Sequence, residues 1–303
     1  MLNKALHLSK AAVLKTSFLG NRSARIVSAK PLNAEAPSNA AQSAAGRVRR
    51  VFAVGGRSTI DFLTPPLCPI SQEPVARPGD LSFSGWSQLT FIDAPICSSC
   101  GVPFEIAPSP SGDMICGACI AKPPDHDGAR AAVAYTDASR RLIVGFKSSD
   151  RTEYAPMFAH WIARAAKTFI EDKGEIIIAP TPLHWRRLFA RRYNQSALIA
   201  RRLVEHPVYA TAQFIPDLLK RRRATPPQKD LSVDARWRNV AGTFAVTGKY
   251  ADRLKGARVL LVDDVVTSGA TASACARALK RAGAAAVYVV SVARVVKSGA
   301  IAL

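Results

Sequence analysis

No apolar run in this 303-residue sequence approaches the ~20 residues that a membrane-spanning helix needs. The longest candidates, such as Ala284–Val290, have the length of buried strands. Acidic residues are scarce as well: 22 Asp and Glu stand against 42 Lys and Arg, a formal net charge of +20. No secretory leader is legible, because basic residues interrupt the only apolar stretch near the start, Ala11–Leu14. Only 21% of the residues are charged and 48% are hydrophobic, which excludes disorder throughout and allows one large domain or two modest ones. A soluble, cytoplasmic protein is the expectation.

The basic excess is uneven. Residues 1–60 hold ten Lys and Arg against a single acid, Glu35, and residues 1–45 are rich in Ala, Ser, Asn and Lys without sustained periodicity. Such charge favours polyanions, whether nucleic acid, an anionic surface or phosphorylated substrates, and a solvated basic surface is the plain alternative. Residues 1–60 are read as a flexible basic tail outside the fold. An organelle-targeting peptide or a start codon placed too far upstream gives the same composition.

Residues 61–125 are dense in Pro, Gly, Ser and Cys and poor in helical pattern, as in a small module that needs a staple. Four of the six cysteines supply one: Cys97, Cys100, Cys116 and Cys119 form a C-x2-C-x15-C-x2-C arrangement. Each pair bends two thiolates onto one side of a tight turn, and two turns give a closed tetrahedral site for structural zinc, with an iron centre as the minor alternative. Gly101 and Gly117 follow the knuckles, where a positive φ helps the turn. All four positions are filled, so the site has no room for chemistry. Upstream, Cys68-Pro69-Ile70-Ser71 looks like the remnant of another knuckle. One thiolate does not hold zinc, so no metal is expected there and Cys68 is read as a spare thiol. Cys275 reads as a small core residue.

From about residue 129, strand and helix signals alternate. Strands are expected at Ala129–Tyr135, Glu175–Ala179, Gln213–Leu219, Thr243–Val246, Arg258–Val262 and Ala285–Ala293. Helices are expected at Asp137–Phe146, Glu153–Glu171, Asn194–Val204 and Gly269–Ala282, with Lys220–Arg238 an exposed charged loop. Repeated β-then-α units imply an α/β domain, residues 126–303, with a mostly parallel sheet flanked by helices.

In Val259–Thr271, four apolar residues run into Asp263 and Asp264, followed by a turn of small hydroxylated residues and a helix. Ligands of an open α/β sheet bind beyond the carboxyl ends of its strands. Two adjacent carboxylates there accept hydrogen bonds from vicinal ribose hydroxyls. Thr267, Ser268, Gly269, Ala270 and Thr271 add amides and hydroxyls at a helix N-terminus, a ready phosphate site. A receiver domain also opens on Asp-Asp, but it needs roughly a hundred further residues and only about 40 remain. An ordinary strand–turn–helix with an Asp–Thr cap is the plain alternative.

The segment resembles the phosphoribosyl-pyrophosphate (PRPP) motif of type I phosphoribosyltransferases, with Ser268 where that pattern has Thr. The resemblance implies that Asp263 and Asp264 bind the ribose hydroxyls and Thr267–Thr271 the 5-phosphate. Two basic segments fit a diphosphate. Arg186, Arg187, Arg191 and Arg192 follow a strand and could clamp phosphate oxygens. Arg221, Arg222, Arg223 and Gln228 belong to a segment that could close over the ligand. Both segments carry aromatic neighbours (Trp185, Tyr193, Trp237), a pattern also used on single-stranded nucleic acid.

Pro95–Phe104, Phe146–Arg151, Pro180–Gln195, Arg223–Asn239 and Val259–Thr271 together resemble the ComF family, named for a protein needed in bacterial DNA uptake. Its members join a cysteine-rich region to a type I phosphoribosyltransferase-like domain. Against that family, Ser71, Ser82 and Gly85 stand where further cysteines are expected. The resemblance implies PRPP with Mg2+ as ligand and transfer of a phosphoribosyl group with release of pyrophosphate. The alternative is a non-catalytic nucleic-acid-binding or assembly factor for DNA uptake, with single-stranded DNA or the uptake machinery as partner. No general base stands out, and His184 reads as a solvent-facing side chain.

Overall fold

The computed structural model describes residues 65–105, 114–148, 151–169, 175–184, 188, 192–223 and 232–296. The basic tail at 1–60, Arg186, Arg187, Arg191 and Gln228 lie outside the described residues.

Five parallel strands build the central sheet: β1 (Gly128–Ala134), β2 (Ile176–Pro180), β3 (Gln213–Phe214), β6 (Arg258–Val266) and β7 (Ala286–Arg294), in the order β1-β7-β6-β2-β3. β4 (Leu219–Arg221) and β5 (Phe244–Val246) form a separate antiparallel ribbon. The order follows from the sequence of each strand. Residues Val259 to Val262 of β6 are all fully buried, as in a strand covered on both faces. Alternation then sorts them: Leu260 and Val262 face one core with Ile176, Ile178, Val290 and Val292, while Val259 and Leu261 face the other with Ile177, Ala179, Val287 and Val289.

The first core is closed by α3 (Asp137–Ser148), α4 (Ala155–Ala165) and α5 (Gln195–Val204), through Leu142, Phe146, Phe158, Ile162, Ile199 and Leu203. The second is closed by α8 (Ala270–Arg281), through Ala272, Cys275, Ala276 and Leu279. Cys275 is a core residue, as its sequence context suggests. This is the mostly parallel, helix-flanked architecture expected from the motif order. No helix among the described residues is long and apolar enough to cross a membrane.

Several expected elements change on inspection. Gln213–Leu219 is not one strand: β3 stops at Phe214, Ile215 and Leu218 turn inward, and the Thr247 hydroxyl donates to the Asp217 carbonyl, so the chain leaves the main sheet before β4 begins. Lys220–Arg238 is not wholly a loop. Lys220 and Arg221 pair with β5, and Val233–Val240 is a helix (α6) whose start is capped by Ser232 Oγ accepting from the Ala235 amide. The expected helix Glu153–Glu171 is shorter, with α4 flanked by single 3-10 turns at Thr152–Tyr154 and Lys167–Phe169.

The cysteine-rich region carries two short helices, α1 (Phe83–Ser87) and α2 (Gly117–Ala121), so it is less irregular than its composition suggests. It packs directly on the edge strand β1. The Ala129 amide donates to the Ser99 carbonyl, Ile92 to Ala132, and Phe91 bridges Val133. Trp86, Phe91 and Trp161 form a three-ring cluster with centroids 4.6 to 5.7 Å apart, tying the region to α4.

Candidate functional site

β6 runs four residues past its expected end. Up to Val262 it is held on both sides, Val262 pairing with Pro180 of β2 and Val290 of β7. Beyond it, β2 has turned away and only β7 continues the ladder, to Arg294. The sheet therefore opens along one side of Asp263 and Asp264, at the point where β6 continues to one hand and β2 to the other. That is where an α/β sheet makes its ligand crevice. A cavity of ≈ 390 Å3 lies there, lined by Asp263, Asp264, Lys147, Ser196, Arg221 and Arg236 together with Thr181–Leu183 and the turn after β6.

The carboxylates are differently held. Lys147, from the end of α3, places Nζ 2.9 Å from Asp264 Oδ2. Asp263 Oδ1 accepts from the Asp264 amide at 2.9 Å and from Ser196 Oγ at 3.3 Å. Burial, then the neighbouring Asp264 charge, pushes the Asp263 carboxyl up to about 7 from its ordinary 3.8. Ser196 is aimed by the start of α5: Asn194 caps that helix through Oδ1 accepting from the Ser196 amide, while its Nδ2 donates to the Thr181 carbonyl. Thr181 Oγ1 is buried without a hydrogen-bond partner, in a residue that lines the cavity.

The turn that follows is Thr267-Ser268-Gly269. Gly269 has φ +75°, so a side chain there would be strained even though the space where a Cβ would project is open. It is the N-cap of α8, whose free amides and dipole favour an anion. Thr267, Gly269, Ala270 and Thr271 line the cavity, whereas Ser268 lines a neighbouring one.

Of the expected basic residues, the fold selects a few. Arg221 lines the cavity from β4. Arg222 lines a different hollow beside Arg277 and Arg281, and Arg223 donates to the Ala241 carbonyl at 2.7 Å. Arg192 has φ 62° and is not among the lining residues. His184 is not solvent-facing: it is buried, outside the cavity lining. Arg236, which continues the second basic segment, lines the cavity as well. Lys147 and Ser196 reach it without having been marked as site residues by the sequence, and their signal is tertiary, since each comes from an element far away in the chain.

In the cysteine-rich region the four ligand sulfurs lie within 4.8 Å of one another. Cys100 Sγ and Cys116 Sγ are 3.7 Å apart, close to the edge of roughly 3.8 Å implied by Zn–S bonds of about 2.3 Å in a tetrahedron. Cys97 Sγ accepts the amides of Cys100 and Cys116 at 3.4 and 3.3 Å. The Cys100 thiol donating to it holds Cys97 low, at about 4, while burial raises Cys119 to about 11. Without a cation Cys100 and Cys119 are held in the thiol form, and a dication would favour their thiolates. The donor set fits structural zinc. Gly101 has the expected positive φ, +71°, but Gly117 instead opens α2.

The remnant repeats this plan. Leu67 bridges Pro74 as Ile96 bridges Pro103. The Cys68 amide donates to the Glu73 carbonyl as Cys97 donates to Val102, and Gln72 donates to Cys68 as Gly101 does to Cys97. Gln72 even shares the positive φ, 65° against 71°. Ser82 and Cys116 occupy the N-cap positions of α1 and α2, although only Ser82 accepts a side-chain bond there, from the Gly85 amide. Cys68, Ser71, Ser82 and Gly85 therefore meet in space: Ser71 Oγ and Ser82 Oγ are 2.7 Å apart, and a Cβ on Gly85 would fall 2.5 Å from Cys68 Sγ. Cys68 is a free thiol, fully buried at the centre of a collapsed knuckle.

These two halves match the model of the double zinc ribbon domain, which covers residues 59–120. The chain is 31% identical over 229 residues to the DNA utilization protein YhgH of Escherichia coli (strain K12), spanning 74% of this chain and 95% of that relative. It is 31% identical to YhgH of Salmonella typhimurium, over 64% of this chain and 82% of the relative. Competence protein F of Haemophilus influenzae matches at 27% over 66% of this chain and 85% of its own length. A duplicated cysteine-rich knuckle docked on a parallel sheet, with this extent of likeness, places the chain in the ComF family of DNA utilization protein YhgH and competence protein F.

Proposed function

We propose that the cleft binds PRPP, with Mg2+ neutralising its diphosphate, and that the chain transfers the phosphoribosyl group with release of pyrophosphate. One observation carries this reading: two adjacent carboxylates and a left-handed glycine turn at a helix N-terminus face the same cavity. In this reading Asp263 and Asp264 accept hydrogen bonds from vicinal ribose hydroxyls. Thr267, Gly269, Ala270 and Thr271 hold the 5-phosphate, and Arg221 and Arg236 contact the diphosphate. An amine or nucleobase forms a bond to the anomeric carbon as the bond to pyrophosphate breaks. Positive charge develops on the sugar ring in that step, so the carboxylate pair and correct positioning supply most of the acceleration. His184 has no role in it. The same reading divides the chain at 1–60, 61–125 and 126–303, and assigns it to the cytoplasm, where zinc-binding thiols stay reduced.

The test is calorimetry with PRPP and Mg2+ on wild type and on Asp263→Asn and Asp264→Asn. Binding by wild type that each substitution weakens supports the reading, and no binding by wild type overturns it. A second reading, a nucleic-acid-handling factor without turnover, is favoured by the names of the relatives and by the net charge of +20. It requires single-stranded DNA affinity that falls when Arg221, Arg222 and Arg223 are neutralised together. An affinity that stays unchanged removes that segment as a DNA grip.

A further inference from the structure

Separate from the ligand cleft, with which it shares no lining residue, a hollow of ≈ 280 Å3 lies between β5 and α8. All three residues of β5, Phe244, Ala245 and Val246, line it. Side chains alternate between the faces of a strand, so three in a row meet one hollow along the backbone edge. The register shows that this edge is open. Lys220 pairs with Ala245, the Arg222 amide donates to the Thr243 carbonyl, and the Thr247 amide donates to the Leu218 carbonyl. Bonded and unbonded pairs alternate in an antiparallel ladder, so the amides and carbonyls of Phe244 and Val246 point away from β4. Among the described residues these four groups have no backbone partner. Such an edge is a template for one more strand.

The opposite wall is one stripe of α8. Ala274, Ala278 and Ala282 recur every four residues and leave room for a backbone beside β5, with Arg277 and Arg281 among them. Arg222 reaches the same hollow from the end of β4. Arg277 is held by Asp125. Arg222 and Arg281 are exposed and have no acidic partner among the described residues. The hollow therefore carries two uncompensated guanidinium charges beside an unpaired strand edge.

The fold already shows what the basic residues of α8 select. Asp125 pairs with Arg277 and Asp127 with Lys280, two acids two residues apart in the segment that leads into β1. In a strand, acids at that spacing share a face and lie about 6.6 Å apart, close to the roughly 6 Å between Arg277 and Arg281 along the helix axis. The sequence holds no other pair of acids two residues apart, and Asp125 and Asp127 are engaged, so neither the rest of the chain nor a second copy supplies the occupant.

We propose that this groove docks an extended acidic peptide of another protein, added as a strand to β5, with acids at alternate positions facing the three arginines. A nucleic-acid phosphate accepts from arginines but donates nothing to the Phe244 and Val246 carbonyls, whereas a peptide backbone both donates and accepts. The inference does not rest on the PRPP reading, because it uses no residue of that cleft.

The experiment is a fluorescence-anisotropy titration of the zinc-loaded full chain with a labelled, end-blocked octapeptide of alternating valine and glutamate. Three further probes decide the mode: the same peptide with glutamine for glutamate, the same peptide methylated on every backbone nitrogen, and a short oligothymidylate. The glutamate peptide should bind, and the other two peptides about tenfold more weakly or worse. Arg222→Glu/Arg281→Glu should weaken it about tenfold or more at an unchanged thermal midpoint. Ala278→Gln, which narrows the groove without altering a charge, should weaken it as well. No binding of the glutamate peptide at millimolar concentration overturns the proposal. Equal binding by the glutamine or the methylated peptide, or affinity unchanged in both variants, also overturns it. So does an oligothymidylate that binds and is lost in the double variant, since the hollow is then a phosphate site.

Discussion

The Asp263 carboxyl sits at about 7 against an ordinary 3.8, through burial first and the Asp264 charge second. The isosteric Asp263→Asn keeps the shape and removes the charge, so it should stabilise the fold at neutral pH while weakening the ligand. The sign follows from proton binding. Below about pH 4 both folded and unfolded chains hold the proton, and the fold has its full stability from this group. Between about 4 and 7 the unfolded chain releases it first, so stability is lost as pH rises through the folded value. The whole displacement corresponds to about 4 kcal/mol at 1.36 kcal/mol per pH unit. The asparagine that replaces it is still a polar group that must be desolvated, so roughly half, about 2 kcal/mol, is expected near pH 8. That is a rise of about 4–8 °C in thermal midpoint for a chain of this size. The assay compares midpoints of wild type and variant at about pH 5 and pH 8, each pair at the same pH so that changes at the cysteine site cancel. The gain should be several-fold larger at the higher pH. PRPP affinity should fall about ten- to a hundredfold, the worth of a hydrogen bond to a charged group. A variant less stable than wild type at pH 8, or a gain independent of pH, would refute the reasoning.

Four further outcomes follow from the geometry. Arg221→Ala should weaken PRPP binding about tenfold while Arg222→Ala leaves it within about twofold, because only Arg221 lines the cleft; calorimetry on the pair decides. Wild type should hold one zinc per chain, lost in Cys97→Ser, whereas Ser71→Cys/Ser82→Cys/Gly85→Cys should hold two by elemental analysis. Gly85→Ala alone should cost about 1–3 kcal/mol in denaturant unfolding, since its Cβ meets Cys68 Sγ at 2.5 Å with no metal to spread the cluster. Gly101→Ala should be at least as costly, as φ is +71° and the Cβ would come 2.3 Å from the Ala129 carbonyl oxygen, a backbone atom that cannot step aside; a loss below about 0.5 kcal/mol would show that the knuckle is free to shift on β1.

Much of the sheet is legible in the sequence because its strands are apolar on both faces: Val259–Val262 and Ile176–Ala179 admit no other reading. The remainder of β6 is not, since two carboxylates in series read as the end of a strand. Only β7, which keeps pairing to Arg294, shows otherwise. α6 is obscured by Arg236 and Arg238 around a single inward pair, Trp237 and Val240. The site divides in the same way. Asp263, Asp264 and the turn after them are contiguous and so are visible in one dimension. Lys147 and Ser196 join them only through the placing of α3 and α5 beside that strand end, which no local pattern encodes. Arg221, Arg222 and Arg223 look alike in sequence, and strand alternation with the path of the chain after β4 separates their fates.

The two knuckles share one backbone plan but differ in what closes them, and this gives the cysteine-rich region an unequal chemical vulnerability. The Cys97–Cys119 half depends on thiols, so a chelator or an oxidant can release it. The Cys68–Gly85 half is closed by the Ser71–Ser82 hydroxyl pair and a buried thiol, which offer nothing to a chelator and little to an oxidant. Loss of metal should therefore loosen the chain in one place only. The Ser99–Ala129 bond to β1 and the cavity beside Ser268 would lose their wall, while the Trp86–Phe91–Trp161 cluster stays fastened to α4. The region would open as a door does, along the side that carries the latch and about the side that has none.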